Sequence, residues 1–598
     1  MKNISYRDVE ITDGFWKNRQ EINRKITVNA VYDRFYDTGR IDAFNVNWKE
    51  GEPNRPHIFW DSDVAKWIEG TAAVLDKERI PEFTEKIEWL IDRIEEHQRP
   101  DGYFNSYYIL FGEGKNFQTR DHHELYCMGH LLEAAVEYYL VTGRDRFLNL
   151  MKKYVDMVYD TFYVKDCAEF TTPGHEEIEL ALCKLYKVTR EKKHLELLKF
   201  FIEKRGANDK DKPIADWAKA NYCQAHIPVR EQFIAEGHAV RALYLYCAMA
   251  DLAKETEDHE LLTACEKLFE DIVSKRMYIT GGLGQTHNGE AFSLDYFLPN
   301  ETSYTETCAS IAMVLFCRRM SEITGDSKYA DIVEKEIYNG AISGISLDGK
   351  SFFYTNPVSI DLDNRKKELS TTWSDWFPIT QRVEVFGCSC CPPNIVRFMA
   401  MMGDNIYTAC GDIYYVHQFI SSKTDKISIT TDFPKSSIVK INADVKELRV
   451  RIPCWCENFE CNKEYTVEKG YAVIHDMKGD IEINLNMTPV LIEANSLVAD
   501  NAGKVALMYG PLVYCIEGID HKEKLSQLYI DGNLKADAEY DEYFGVNTII
   551  AKGFKKVNSG LYNKYSSENF EETTLKFIPY FGFANRGESD MQVWVKVK

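Results

Sequence analysis

Apolar residues recur every three or four positions through the first two-thirds of the chain, which is the spacing of helices that bury one side. Within 82–98 this apolar face comprises Phe83, Ile87, Leu90, Ile91 and Ile94. Similar spacing predicts further helices over 59–77, 123–142, 145–160, 176–188, 192–204, 233–255, 258–276, 305–324, 327–343 and 393–408. The pattern therefore predicts a long helical region at the start of the chain.

A weak internal repeat relates these helices. At Thr142, Thr189, Thr256 and Thr324 a predicted helix ends, a short polar turn follows, and another helix begins. Helical hairpins repeated over about 400 residues favour a closed ring of paired helices, an (α/α)6 barrel. Such a ring gathers its connecting loops at one end, where a site can be built.

The apolar period changes from 3.6 to 2 after about residue 407. Alternating segments rich in Val, Ile, Thr and Tyr predict strands over 426–431, 437–452, 471–475, 480–494, 504–516 and 573–579. Their number and length fit two β-sandwiches. The predicted fold class is thus multidomain α plus β, with an (α/α)6 barrel over 6–406, a first β-sandwich over 407–487 and a second over 488–598.

Composition narrows the classes of partner. The chain has 72 Lys and Arg against 93 Asp and Glu, a net charge of −21, and such a surface disfavours nucleic acid and suits a neutral substrate such as a sugar. Residues 1–10 lack the apolar core of a secretory signal, and no run of 18 apolar residues occurs. We therefore expect a cytoplasmic protein without a membrane span, with most of its 16 cysteines reduced.

Three cysteines lie within four positions, at Cys388, Cys390 and Cys391, and Pro392 and Pro393 follow them. Adjacent side chains point in different directions, so Cys390 and Cys391 do not fit one buried face. The prolines suit the first turn of a following helix, whose N-terminus favours thiolate. This pattern predicts a metal-binding or nucleophilic role, while Cys388 receives no role.

The remaining donors for a metal are found at Glu306 and Cys308, two residues apart near a predicted helix start. With Cys390 and Cys391 they make a four-ligand set, and three thiolates favour Zn2+ over hard cations. A lone glutamate in Glu306's position is more often a helix N-terminal acid. Its proximity to Cys308 favours the zinc site.

A glycine-rich loop over 281–292 presents a single glutamate, Glu290, followed by Ala291 and Phe292. The loop is not a phosphate-binding loop, because no Gly-Lys-Ser or Gly-Lys-Thr follows it. A carboxyl group in a partly apolar pocket has a raised pKa and suits a general acid. The alternative is an ordinary surface carboxylate.

His123, His175 and His238 recur in similar surroundings, each at or near the start of a predicted helix. A single histidine of this kind is more often a hydrogen-bonded structural residue. Three equivalent positions on a helical ring can converge on one cavity, which favours contacts to a ligand. The metal-binding spacings His-x-x-x-His and His-Glu-x-x-His are absent, so the histidines are not assigned to zinc.

Taken together, these motifs resemble glycoside hydrolase family 127, which contains the β-L-arabinofuranosidases. The resemblance lies in 282–292 (GLGQTHNGEAF), 295–300 (DYFLPN), 306–310 (ETCAS) and 386–394 (FGCSCCPPN). It continues through 61–67, 123–126, 174–180, 235–241, 345–350 and 507–514. It spans nearly the whole chain in the expected order, although 38–57 does not align convincingly.

The resemblance implies that the barrel is catalytic, that residues 1–5 join the first β-sandwich, and that the protein forms a homodimer. It implies zinc held by Glu306, Cys308, Cys390 and Cys391, with Cys390 as nucleophile and Glu290 as acid/base. It also places sugar contacts at four residues, His123, His175, His238 and Tyr354. The expected activity is release of L-arabinofuranose, with retention, from an oligosaccharide or a small glycoside.

Three alternatives stay open at this point. The zinc can be structural and Glu306 the nucleophile, on L-arabinofuranose or another pentose-like sugar. Two of the histidines can exchange a proton in a sugar epimerase. The chain can also be a carbohydrate-binding scaffold without turnover.

Overall fold

The computed structural model describes residues 1–112, 114, 116–365, 377–557, 560–564, 566 and 569–598. Its α-helices, numbered in chain order, are α1 Gly14–Ile22, α2 Val28–Asp37, α3 Trp60–Lys77, α4 Pro81–His97, α5 Ser106–Phe111, α6 Glu124–Thr142, α7 Arg146–Val158, α8 Ile178–Thr189, α9 Lys192–Lys204, α10 Ala239–Thr256, α11 His259–Lys275, α12 Thr307–Thr324, α13 Ser327–Lys335 and α14 Cys391–Ala400. Segments of π-helix, Tyr159–Val164 and Glu336–Gly340, prolong α7 and α13.

The helices differ in how much of their surface is buried. In α10 every residue from Ala239 to Ala253 is buried, whereas α4 buries only one face. The helices α3, α6, α8, α10, α12 and α14 each contact the next in this order, and α14 contacts α3 again. These six helices therefore form a closed inner ring, and α4, α7, α9, α11 and α13 pack against it with one apolar face, as their spacing predicts.

Two helix boundaries differ from the prediction. The helix expected over 393–408 is α14, which starts at Cys391 and ends at Ala400. It starts earlier because a proline in the first turn lacks only an N–H that has no helical partner there. The helix expected from residue 233 starts at Ala239, since Gly237 has φ +75° and lies against the carbonyl of Asn221.

The strands follow the helices, apart from three short ones. They are β1 Lys2–Asn3, β2 Glu10–Ile11, β3 Ser359–Ile360, β4 Tyr407–Cys410, β5 Ile413–Val416, β6 Ser422–Lys423, β7 Ile427–Thr431, β8 Ile438–Arg451, β9 Glu460–Cys461, β10 Thr466–Glu468, β11 Tyr471–Asn484, β12 Pro489–Glu493, β13 Lys504–Tyr509, β14 Leu512–Glu517, β15 Leu528–Ile530, β16 Ala536–Asp541, β17 Val546–Lys556, β18 Phe570–Pro579, β19 Met591–Gln592 and β20 Val595–Val597.

These strands form two mainly antiparallel sheets. The first has the order β1-β4-β5-β8-β7-β6-β2, and β11 pairs with β8, β9 and β10. The second has the order β12-β13-β20-β15-β17-β18-β14-β19-β3, with β16 on β17. Strands β1 and β3 come from the N-terminal part of the chain and tie it to the sheets.

Two of the predicted strands are interrupted. The strand expected over 504–516 is divided between β13 and β14, because Gly510 has φ +56° and Pro511 follows it. The strand expected over 480–494 is likewise divided between β11 and β12. Within the described ranges, none of the helices combines the length and the apolar character that a membrane crossing requires.

Candidate active site and metal centre

Four predicted metal ligands meet where α12 and α14 start side by side. Glu306 is the N-cap residue of α12 and Cys308 lies in its first turn, while Cys390 caps α14 and Cys391 is its first residue. The Cys308 Sγ atom lies 3.6 Å from that of Cys390 and 3.3 Å from that of Cys391. Glu306 Oε1 lies 3.6 Å from Cys390 Sγ. All four ligand atoms lie within 4.8 Å of one another.

The charges of this cluster, named here the Glu306–Cys391 cluster, are mutually repulsive. Burial, together with the negative charges of Cys390 and Glu290, holds the pKa of Glu306 well above its usual range. Burial also raises the pKa of Cys308, but hydrogen bonds from Cys390 and Cys391 outweigh it and bring the pKa to about 6. The four groups cannot all ionise together unless a cation compensates them.

The neighbouring thiols of α14 differ in exposure. Cys391 is buried completely, whereas Cys390 is half-buried and Cys388 is exposed. A hydrogen bond to Cys390 raises the pKa of Cys388 and so favours its neutral thiol form. Of the two vicinal thiols, only Cys390 is therefore open to a ligand.

Glu290 lies at the end of a short hairpin. Gln285 N–H donates to the carbonyl of Ala291, and Ala291 N–H donates to that of Thr286. The hairpin joins the start of α10, since Ala239 N–H donates to Glu290 O at 3.0 Å. Glu290 itself has φ +55°, a left-handed conformation that costs free energy in a residue other than glycine and is concentrated at functional sites. The hairpin thus holds the carboxylate in a fixed place beside His238.

The predicted raised pKa of Glu290 is wrong. Burial does raise the pKa, but hydrogen bonds from His238 and Tyr304 and the charge of Arg241 outweigh it, and the pKa lies below its usual value. His238 Nε2 is 3.0 Å from Glu290 Oε2, and the Glu290 side chain is 31% exposed. The carboxyl is therefore a hydrogen-bonded anion in the free protein, and not a group isolated in an apolar pocket.

The three histidines lie in a row along the cavity. The ring centres of His123 and His175 are 5.7 Å apart, and those of His175 and His238 are also 5.7 Å apart. Burial lowers the pKa of His123 to about 4, and it lowers the pKa of His175 and of His238 below the usual value. All three rings are thus neutral near pH 7.

Backbone partners determine the tautomer of each ring. Nδ1–H of His123 donates to Asp121 O at 2.6 Å, and Nδ1–H of His175 donates to Glu176 O at 3.0 Å. Their Nε2 atoms remain as hydrogen-bond acceptors. In His238, Nδ1 accepts from Val240 N–H at 3.2 Å, so Nε2–H donates to Glu290.

Tyr354 joins the two halves of the site. Its hydroxyl donates to Glu290 Oε2 at 3.3 Å, and its carbonyl accepts from the N–H of Thr307, beside Glu306. Tyr304 borders the same space. All nine residues predicted for the site are thus brought to one end of the helical ring.

A family model described as beta-L-arabinofuranosidase, GH127 catalytic domain, matches residues 8–404. A second, for the C-terminal domain of glycoside hydrolase family 127, matches residues 489–596. The chain belongs to glycoside hydrolase family 127. It is accordingly a glycoside hydrolase.

Relatives in family 127 match this chain over almost its full length. A non-reducing end beta-L-arabinofuranosidase of Bifidobacterium longum subsp. longum is 33% identical, with 98% of this chain and 99% of the relative covered. The crystal structure of a GH127 beta-L-arabinofuranosidase from Geobacillus stearothermophilus T6 has a TM-score of 0.92 and 37% identity, covering 99% of this chain and all of the other. A further GH127 beta-arabinofuranosidase structure has a TM-score of 0.88 and 31% identity, covering 100% and 98%.

Sequence reasoning missed several residues of this family 127 site. Tyr126, whose ring centre is 4.1 Å from that of His175, follows His123 by one helical turn, and that spacing was a usable signal. Arg241 donates to Gly174 O at 2.6 Å and holds the loop before His175. Arg40, in the segment that does not align, donates to Phe386 O and Gly387 O at 3.1 and 2.8 Å. It anchors the loop that leads to Cys390.

Lys66 on α3 was missed as well. It is completely buried, and its Nζ donates to the Tyr126 hydroxyl at 2.8 Å. Among the described residues no carboxylate oxygen lies within 4.0 Å of this ammonium. In addition to the hydrogen bonds from Cys390 and Cys391, the positive charge of Lys66 lowers the pKa of Cys308 and so favours its thiolate. A buried cation requires compensating negative charge, and the Glu306–Cys391 cluster is near enough to provide it.

A second group of potential metal ligands, His130, Glu133 and Glu177, lies deeper in the ring. His130 Nδ1 is 3.1 Å from Glu177 Oε1. Glu133, however, already accepts a hydrogen bond from Arg397 Nη1 at 2.8 Å. Since this guanidinium occupies the carboxylate, we assign no metal to the group.

Proposed function

We propose that the chain is a retaining exo-glycosidase that releases L-arabinofuranose from the non-reducing end of β-L-arabinofuranosides. The observation that carries the proposal is the convergence of the Glu306–Cys391 cluster with Glu290 at one end of the helical ring. The names of the two best-matched relatives above supply the sugar. The geometry supports the chemistry, because the half-buried Cys390 thiol lies 3.6 Å from Glu306 Oε1, and carboxylate oxygens of Glu306 and Glu290 lie within 4.8 Å of each other.

The donor set of the cluster fits Zn2+. It combines three thiols with one carboxyl group, and Glu306 Oε2 is buried without a hydrogen-bond partner. Thiolates select zinc over magnesium or calcium, and an unpaired buried carboxylate oxygen is costly unless a cation binds it. Glu306, Cys308, Cys390 and Cys391 would hold the ion. When bound, zinc keeps the thiols deprotonated at neutral pH.

In the proposed first step the sulfur of Cys390 attacks the anomeric carbon of the sugar. A carbon–sulfur bond forms while the bond to the leaving oxygen breaks, and Glu290 gives that oxygen its proton. The protonated form of Glu290 is required here, so the hydrogen bond from His238 opposes this step. The Nε2 acceptors of His123 and His175 and the hydroxyl of Tyr354 would hold the sugar hydroxyls.

In the second step Glu290 takes a proton from water. The water oxygen bonds to the anomeric carbon as the carbon–sulfur bond breaks, and Cys390 is regenerated as a thiolate. Two inversions give overall retention. The low pKa of Glu290 favours this step, because the carboxylate is then the form that accepts the proton.

The alternative nucleophile is Glu306. Glu306 is only 2% exposed, whereas Cys390 is half-buried. A nucleophile must reach the anomeric carbon, so the difference in exposure favours Cys390. Cys391, which is buried completely, would serve only as a ligand.

We also propose the architecture that accompanies this function. The closed ring of six inner helices supports an (α/α)6 catalytic barrel over 6–406. The two sheets support β-sandwiches over 407–487 and 488–598. Pairing of β1 with β4 supports the assignment of residues 1–5 to the first of them.

The proposal is tested with a panel of aryl pentofuranosides. We expect turnover of the aryl β-L-arabinofuranoside, with the β-anomer appearing first in the proton NMR spectrum. A β-L-arabinofuranosyl electrophile that traps the nucleophile should then modify the peptide containing Cys390. Release of the inverted sugar, or modification of Glu306 with Cys390 unmodified, would contradict the mechanism. Turnover of every pentofuranoside except the arabinoside would contradict the sugar.

A further inference from the structure

A cavity of about 720 Å³ extends from Glu290. Glu290, Tyr304 and Tyr354 line it together with residues from 379–388. The residues within 379–388 that line the cavity form a wall, named here the 379–388 wall. The wall is continuous with the catalytic carboxylate, because the ring of Phe386 lies 5.7 Å from that of Tyr354, whose hydroxyl contacts Glu290.

The 379–388 wall presents apolar side chains to this cavity. Ile379, Val385 and Phe386 are half-buried, and Val383 is 38% exposed. All four line the cavity. A largely apolar surface therefore lies next to the catalytic carboxylate.

Several polar groups of the same wall are already paired within the protein, although Gln381 Oε1, which is buried, has no hydrogen-bond partner among the described residues. The Thr380 hydroxyl donates to Glu588 at 2.7 Å, and Gln381 Nε2 donates to Ala584 O at 2.9 Å. Val383 exchanges two backbone hydrogen bonds with Phe352, at 2.7 and 2.9 Å. The carbonyls of residues 386 and 387 accept from Arg40. Few hydrogen-bonding groups therefore remain for a ligand.

The chemistry of the proposed function determines what enters this cavity. Glu290 protonates the oxygen of the leaving group, so that oxygen must lie beside Glu290, and the carbon skeleton attached to it must extend into the adjoining space. A leaving group rich in hydroxyls would lose hydrogen bonds to water against this wall and regain few of them. An apolar leaving group would gain from burial.

We propose that the 379–388 wall selects a leaving alcohol with an apolar face, such as an alkyl or aryl aglycone, in preference to a second sugar. The inference rests on the proposed function and names the substrate class of the same site. It concerns the aglycone alone and leaves the identity of the released sugar unchanged.

The test is a series of methyl, ethyl, propyl and butyl β-L-arabinofuranosides beside a β-linked arabinose disaccharide. The alkanols have similar leaving abilities, so differences report binding in the cavity. Burial of each methylene predicts an increase in kcat/KM of about fourfold. The disaccharide leaves through a more acidic hydroxyl than an alkanol does, so it is compared by binding, and its KM should be higher than that of the butyl glycoside.

Val383→Thr is the matching variant, because it keeps the shape of the side chain and replaces one methyl group with a hydroxyl. It should flatten the increase along the alkyl series, whereas Val467→Thr, at an exposed valine on β10, should not. A thermal unfolding midpoint for each variant shows that both are folded.

The outcomes separate the two proposals. Release of arabinose at the same kcat/KM from all four alkyl glycosides, or a lower KM for the disaccharide than for the butyl glycoside, overturns the apolar leaving group and leaves the sugar specificity standing. Release of no arabinose from any member overturns the proposed function and this inference with it. An unchanged slope in Val383→Thr overturns the role of the wall.

Discussion

Two short segments of the chain each carry three cysteines, and only one of them forms a site. Cys388, Cys390 and Cys391 lie at the start of α14, next to Glu306 and Cys308. The second segment contains Cys454, Cys456 and Cys461, between β8 and β11 of the first sheet. There the Cys456 thiol donates to the carbonyl of Leu485 at 3.2 Å, and Cys454 is exposed.

The difference lies in what the fold brings to each segment. Within the described ranges, no group of three His, Cys, Asp or Glu ligand atoms includes a cysteine of the second segment. The first segment acquires two ligands from α12, more than eighty residues earlier in the chain. Cysteine density along a sequence is therefore not enough to assemble a potential metal site, which here needs donors from a second helix. The predictions below compare the two regions.

The largest expected effect is on catalysis. Cys390→Ala should reduce kcat/KM about 10⁴-fold or more, as loss of a nucleophile does in other hydrolases. Cys454→Ala should stay within about twofold of the unchanged protein, because surface substitutions remote from a site have small effects. The measurement is kcat/KM on an aryl β-L-arabinofuranoside. Comparable losses in both variants would remove the distinction between the segments.

The next effect is on metal content. Cys308→Ser should weaken Zn2+ binding by more than about 100-fold, because it removes a direct ligand, and even residues behind the ligands contribute 10–100-fold. Cys461→Ser should bind zinc as the unchanged protein does. Competition with a chelating dye gives both affinities without an activity assay. Full zinc affinity in Cys308→Ser would contradict the assigned ligand set.

Substitution of the buried cation in each region should affect different properties: zinc affinity for Lys66, and stability for Arg451. Lys66→Met should weaken Zn2+ about 10–100-fold, since its charge compensates an anionic cluster, and Lys66→Arg should restore part of the affinity. The zinc-free Lys66→Met protein should unfold at the same temperature or higher, because a buried charge without a carboxylate partner has been removed.

Arg451, on β8, provides the contrast. It is also completely buried, but it is ion-paired with Asp331 at 2.7 Å and with Glu334. Arg451→Met should cost about 3–5 kcal/mol of stability by leaving these carboxylates unpaired, with zinc affinity unchanged. Calorimetry of the zinc-free proteins and dye competition provide the two readouts. Unchanged zinc affinity in Lys66→Met would show that the lysine is only structural.

The smallest expected effect concerns pH. His238→Asn keeps a side chain able to cap α10 but removes the hydrogen bond to Glu290. That hydrogen bond lowers the pKa of Glu290, so its loss raises the pKa. Because the first step needs protonated Glu290, the alkaline limb of kcat/KM should move to higher pH.

His475→Asn is the matched control for this shift. His475 on β11 also contacts a glutamate, with Nδ1 at 3.2 Å from Glu447 Oε2, but the pair lies on the first sheet. Its substitution should leave the pH profile of kcat/KM unchanged. A profile that stays fixed in His238→Asn as well would exclude Glu290 as the group that titrates.

Much of the fold could be predicted because burial patterns are local. The apolar spacing within 82–98 predicts α4 to within one residue at each end, and α6 ends at Thr142 as predicted, with Gly143 after it in a left-handed conformation. The start of α14 was predicted two residues late, at residue 393, because Pro392 and Pro393 fit the first turn of a helix without marking the residue where it begins. The break between β13 and β14 was missed, although Gly510 and Pro511 are residues that interrupt a strand.

Less of the site than of the fold could be predicted from the sequence. The vicinal thiols and the Glu306–Cys308 pair are unusual enough locally to be recognised as metal donors. The pKa of Glu290 was predicted in the wrong direction, because its partner His238 is remote in sequence and the pairing exists only after α10 packs against the hairpin. Arg40 and Lys66 look like ordinary charged residues until the fold buries them.

The amino-acid sequence by itself determined the order of helices and strands, the family, and the types of donor available, since these depend on local periodicity and on side-chain chemistry. Tertiary structure decided which thiol is exposed, which tautomer each histidine adopts, and which charged groups lie close enough to affect each other's pKa. Those properties depend on distances of 3 to 4 Å between residues far apart in the chain. Electrostatic and hydrogen-bond energies change steeply over such distances. For this reason Cys390 and Cys454, alike as residues, differ as chemical groups.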